Sequence, residues 1–196
     1  VRIGYYSIPN PKVESTVSVL DTDARNKRSK EKALRYLKQI SSMIAGRHNV
    51  KVNIVEKIKY NAVAVNDEIF IRNGDFTDPE YLKLVEGLID HEAGHLKFSD
   101  FTYLKKQQFK PLELALFNAI EDIRMERLVK DTYPGSINNL QGMCEVLVKR
   151  GGADYHSQPF MIKFQGYVMM YCRLHFNHDK CMKKPLCLTR ESLIEA

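Results

Sequence analysis

Two histidines four residues apart, with a glutamate directly after the first, form the segment of this chain best suited to chemistry: His91-Glu92-Ala93-Gly94-His95. In an α-helix, residues four apart lie on one face about one turn apart, so both imidazoles can aim a nitrogen at one tetrahedral divalent ion such as zinc. Glu92 sits ~100° further round the helix and can reach a water held by that ion without ligating it. A carboxylate so placed is a general base for metal-assisted amide hydrolysis, taking a proton from the activated water and passing it to the leaving amine. The plain alternative is a surface helix that carries two histidines and an acid by chance.

A catalytic zinc needs a third protein ligand and keeps its fourth position for water. Directly after His95 the chain reads Leu96-Lys97-Phe98-Ser99-Asp100-Phe101, without the glycine and histidine that continue the metzincin pattern. The ligand must therefore come later. Glu121, Asp122 and Glu126 stand in an otherwise apolar run with Leu116, Phe117, Ile120, Ile123 and Leu128, where carboxylates are costly unless paired or metal-bound. Glu121 is the first candidate, since it completes the two-histidine-plus-glutamate set of gluzincins, and Asp122 is the second. Glu126, four residues after Asp122, can instead orient a ligand histidine. The competing reading pairs these acids with Arg124, Arg127 and Lys130 at helical spacing. Asp100 reads as a helix-end residue. Tyr133, Tyr155 and His156 lie in turn-rich sequence and are candidates for stabilising an oxyanion.

A second group, Cys172, His175, His178, Cys181 and Cys187, raises the question of another metal. On one unbroken helix Cys172 and Cys181 face opposite sides, so a shared ion requires a bend near Asn177. The simpler reading is a buried Cys172 with reduced, partly exposed Cys181 and Cys187.

These residues need elements to position them. Leu34, Leu37, Ile40 and Ile44 predict an amphipathic helix over residues 29–44 that ends near Gly46. Val50, Val52 and Ile54 alternate as in a strand, and residues 62–65 and 68–71 flank Asn66-Asp67 as in a tight hairpin. Thr77-Asp78-Pro79-Glu80 then reads as a capping box, with Thr77 as cap, opening the helix that carries both histidines. Leu84, Leu88, His91 and His95 share one face of it, and Ala93-Gly94 leaves room for a close neighbour. A further helix is expected over residues 112–129, stopped by Tyr133-Pro134-Gly135, and two more between residues 140 and 172, parted by Gly151-Gly152. The last twenty residues carry no clear pattern. The sum is an α+β, mostly helical chain with a small sheet before the histidine helix, the order of a zincin, in which an edge strand pairs with an extended peptide substrate.

At 196 residues and 44% hydrophobic, the chain has enough apolar material for one domain over residues 1–196, its core at about 29–135 and a helical part at 136–196. No run is long and apolar enough to span a membrane, and the start lacks the order of a secretory signal. The net charge of +6 is dispersed; its densest run, Arg25 to Lys32, reads as the solvated start of a helix, so no nucleic-acid partner is expected. Four cysteines at positions 144, 172, 181 and 187 are too few and too C-terminal for a disulfide framework, which favours reduced thiols and the cytoplasm.

The stretch from Leu88 to Phe101, with that from Phe117 to Arg127, resembles the metallopeptidase-like domain of CobT-like proteins, bacteriophage members included, over residues 50–135. In those proteins the domain usually precedes a von Willebrand factor A domain. The resemblance implies a gluzincin-like fold, zinc held by His91, His95 and Glu121, Glu92 as base, and a protein or peptide substrate, in the host cytoplasm for a phage protein. It also implies a second role, because the group includes cobaltochelatase-type subunits: a non-catalytic adaptor for an AAA+ ATPase of the MoxR type.

Overall fold

The computed structural model describes residues 19–150 and 158–194. Tyr155 and His156 lie outside them. Among the described residues the architecture is α+β: a three-stranded sheet and seven α-helices, arranged around the helix that carries the two histidines.

The first helix, α1 (Val19–Ala45), begins earlier than the apolar spacing predicts and ends at Gly46, whose φ of 64° suits a residue without a Cβ. Leu37 and Ile44 are buried, with Leu34 and Ile40 packed alongside. Three strands follow, β1 (Lys51–Val55), β2 (Ala62–Val65) and β3 (Glu68–Arg72). The hairpin forms where expected, and Asn66 takes the positive φ of 56° that its two-residue turn requires. The alternation could not reveal the order. β3 is central, antiparallel to β2 and parallel to β1, which leaves β2 as an edge strand.

The histidine helix, α2 (Pro79–Phe98), is capped one residue later than predicted. Asp78, not Thr77, accepts the N–H of Glu80 at 2.9 Å, while the Thr77 hydroxyl donates to Asp75. A carboxylate is the stronger cap here because it meets the positive end of the helix dipole. Every residue of 87–96 is buried. The amphipathic pattern therefore understates this helix, which is enclosed by α1, by the sheet, and by two helices further along the chain, α4 (Pro111–Thr132) and α5 (Ser136–Arg150). The short α3 (Phe101–Lys106) starts at Asp100, whose side chain caps it by accepting from the N–H of Tyr103. Two glycines permit the close packing on α2. A Cβ at Gly94 would strike Met125 and Val129 of α4, and one at Gly87 would strike the Asn139 backbone carbonyl and Met143 of α5.

The chain closes with α6 (Phe160–Phe176), a 3-10 turn at Lys180–Met182 and α7 (Lys183–Ile194). The bend envisaged near Asn177 is present, with His178 at a φ of 60°. Among the described residues no helix is long and apolar enough to cross a membrane.

Replacing Gly87 tests the α2–α5 packing. An added methyl gains about 1 kcal/mol of helix propensity, but it meets backbone that cannot step aside, for about 1–3 kcal/mol of overpacking. Gly87→Ala is therefore expected to lower the thermal midpoint, read by scanning calorimetry; a midpoint at or above that of the parent contradicts the packing described.

Candidate metal centre

His91 and His95 are each 1% exposed, which removes the surface-helix reading of the motif. Their rings face each other edge-on, and their Nε2 atoms lie 3.0 Å apart. Asp122 of α4 completes the group, with its Oδ1 3.1 Å from His95 Nε2 and 3.8 Å from His91 Nε2. Among the described residues this is the one set of three such side chains able to hold a metal ion.

The protons around these atoms define what the group can bind. Glu126 is fully buried, where desolvation alone would raise its carboxyl. The charge of Arg173 and the hydrogen bond from His91 outweigh that and hold it well below the ordinary range. An ionised Glu126 only accepts, so His91 Nδ1, 2.9 Å from it, carries the proton. Glu121 is likewise held below its ordinary value, burial being outweighed by hydrogen bonds from Arg124 and Ser99. The Ser99 hydroxyl gives its one proton to Glu121 at 2.6 Å and must therefore accept from His95 Nδ1 at 2.8 Å. When both rings are neutral, this leaves both Nε2 atoms as acceptors. They face Asp122 Oδ1, which is buried and has no hydrogen-bond donor.

In that state three acceptors converge on one point, an arrangement that a proton or a metal cation relieves. Ligand atoms ~2.0 Å from a tetrahedral zinc would be about 3.3 Å apart, and the separations found bracket that value. The residues therefore fit a divalent metal. The pull on positive charge is visible in His91 itself: burial opposes its protonation, yet the hydrogen bond to Glu126 and the charges of Asp122, Glu126 and Glu92 outweigh it and raise its pKa.

Glu92 lies on the sheet side of α2, 2% exposed, and accepts the backbone N–H of Ala64. Hydrogen-bonded positions of the hairpin fall at Asn61 and every second residue after it, so the N–H of Ala64 points to the outer edge of β2. Burial pushes the Glu92 carboxyl above its ordinary range; proximity to His91 and His95 opposes this and the charge of Asp122 adds to it.

Two expectations are corrected by position. Glu121 does not join the triad, because neighbours on a helix are ~100° apart and it is Asp122 that shares the α2-facing stripe with Ala119, Met125, Glu126 and Val129. Glu121 instead pairs with Arg124, as the competing reading of these acids had it, and Arg124 also donates to the Phe98 carbonyl at the end of α2. Tyr133 is eleven residues beyond Asp122, about 16 Å along the helix axis. Its hydroxyl donates to the Met43 carbonyl and accepts from Lys97, so it is no oxyanion donor here. His156 and Tyr155 lie outside the described residues. The cysteine and histidine run near the C-terminus does not converge on a common point either; Cys172 is only partly buried, and Cys181 instead meets Cys144.

Two contributors escape a reading by motif. Ser99 ends α2, donating its N–H to the His95 carbonyl, and uses its hydroxyl to fix the His95 tautomer. Arg173, 2% exposed, donates to Glu126 at 2.6 and 3.0 Å and to Asp179 at 3.0 Å, with Asn177 completing the carboxylate's shell. A lone arginine between Met169-Met170 and Leu174 was the available signal, since a charge in an apolar helix needs a buried partner.

Metal titration by calorimetry on purified variants checks these assignments. Asp122→Ala is expected to weaken binding at least a hundredfold and Glu126→Gln roughly ten- to a hundredfold, while Glu121→Gln retains one equivalent. The reverse order for positions 121 and 122 would make Glu121 the ligand. Arg173→Met leaves Glu126 buried without its counter-charge, and a loss of about 3–5 kcal/mol is expected in urea unfolding.

Comparison of the chain with protein-family models, with curated proteins and with solved structures finds no match.

Proposed function

We propose that this protein is a zinc-dependent metallopeptidase of zincin type, with His91, His95 and Asp122 as metal ligands and Glu92 as general base. The observation that carries the proposal is the convergence of His91, His95 and Asp122 as a possible ligand set, with a buried carboxylate, Glu92, on the residue after the first histidine. A resident zinc supplies Lewis acidity, for activating water and polarising a carbonyl.

The protein's own residues do the rest. Glu126 and Ser99 hold the two imidazoles in the tautomer that keeps Nε2 free. Glu92 takes a proton from the attacking water and returns it to the leaving amine, and its raised affinity for protons suits that exchange near neutral pH. The outer edge of β2 has no strand partner among the described residues, and Glu92 is tied to it through Ala64. An extended peptide that adds to this edge passes within reach of Glu92, which favours a peptide as substrate.

The burial of both histidines favours a second reading, a non-catalytic metal-binding adaptor for an AAA+ ATPase whose ion serves folding alone. One substitution separates the two. With zinc loaded, the parent is expected to cleave an unfolded casein-type substrate. Glu92→Gln should bind zinc equally well and lose at least a hundredfold in rate. Equal rates in parent and variant would remove Glu92 as base, and a zinc-loaded parent without cleavage would leave the adaptor.

A further inference from the structure

The four cysteines are not equivalent. Cys144 of α5 is 1% exposed, and its sulfur lies 3.3 Å from that of Cys181 in the 3-10 turn, although the two are 37 residues apart in sequence. Cys181 is partly exposed, as is Cys172, and Cys187 is open to solvent. Met170 and Met182 pack around the pair in a small apolar cluster of their own. No third ligating side chain joins the two sulfurs among the described residues, so the pair is not a metal site.

We propose that Cys144 and Cys181 form a reversible redox site that closes to an intramolecular disulfide when it meets a small-molecule disulfide of the glutathione class. The two thiols divide the work. The two sulfurs are in hydrogen-bond contact, which holds Cys181 below the ordinary thiol range and, with burial, Cys144 above it. The partly exposed Cys181 is thus the attacking thiolate and the enclosed Cys144 the resolving one. Cys181 attacks one sulfur of the oxidant, forming a mixed disulfide and breaking the oxidant's S–S bond; the released thiolate takes up the Cys181 proton. Cys144 then attacks the Cys181 sulfur, the protein disulfide forms, the mixed disulfide breaks, and the second small thiol leaves with the Cys144 proton. In balance, the protein dithiol loses two electrons and two protons, and one small disulfide becomes two thiols. The bridge fastens to α5 the turn next to Asp179, the residue that shares Arg173 with Glu126.

The test is a thiol map of the full chain after incubation with oxidised glutathione, acid quench, alkylation with N-ethylmaleimide and peptide mass analysis. Cys144 and Cys181 are expected to lose alkylation together, by at least tenfold, and to appear in one cross-linked peptide that dithiothreitol separates; Cys172 and Cys187 do not join it. Cys144→Ala should stall with glutathione retained on Cys181. A parent chain whose Cys181 stays alkylatable, or carries glutathione while Cys144 remains a free thiol, or is bridged to Cys172 or Cys187, overturns the proposal. The parent map decides the question alone if the variant does not fold.

Discussion

Two imidazole nitrogens and a carboxylate oxygen are brought together in a buried space, close enough for one cation to satisfy all three. Left to themselves, these atoms would separate or seek water. What keeps them in place is that each histidine has its Nδ1 held on the opposite side, by Glu126 for His91 and by Ser99 for His95. The rest of the molecule follows from holding that arrangement. Glu126 stays ionised beside Arg173; Arg173 also holds Asp179, whose extra negative charge Lys130 balances. A line of alternating charge therefore runs from Glu126 of α4 through Arg173 of α6 and Asp179 to Lys130, connecting the candidate metal centre to the C-terminal helices.

Such a line is expensive by itself, because every ion in it has left water. It persists where each oxygen and each N–H finds a partner, and Glu126 approaches that limit with contacts from His91, Arg173 and Asn177. The apolar core that surrounds α2 supplies the stability that the ions do not. Val85, Leu88, Ile89, Ala93 and Leu96 meet the sheet and the neighbouring helices with almost no exposure. The geometry of the site is precise for the same reason: the ligands sit on the most enclosed helix, and Gly94 lets α4 approach closely enough for Asp122 to reach across.

Glu92 belongs to another face of the same helix. It looks toward the sheet rather than toward α4, and the N–H of Ala64 is its fixed contact. The proposed ligand set and the proposed base are thus held by separate parts of the fold, the first by α4 with the C-terminal helices and the second by the hairpin. One helix joins them, because consecutive residues on a helix point ~100° apart.

Much of this was legible in the chain itself. The spacing of His91 and His95, the position of Glu92, the hairpin around Asn66-Asp67 and the helices on either side all follow from local rules, since turn chemistry and helical periodicity act over a few residues. Even the possibility that Glu126 orients a histidine was visible as a spacing of four from Asp122. The choice between Glu121 and Asp122 was not, because both are acids in one helix and only the rotation of α4 against α2 decides which of them faces the histidines. Nor could the sequence reveal that Arg173 completes the site, that β1 joins β3 rather than its neighbour β2, or that Cys144 meets Cys181. Those pairings join residues far apart in the chain, and no local preference encodes them; they are settled only when the helices close around α2 and each buried charge must find its partner.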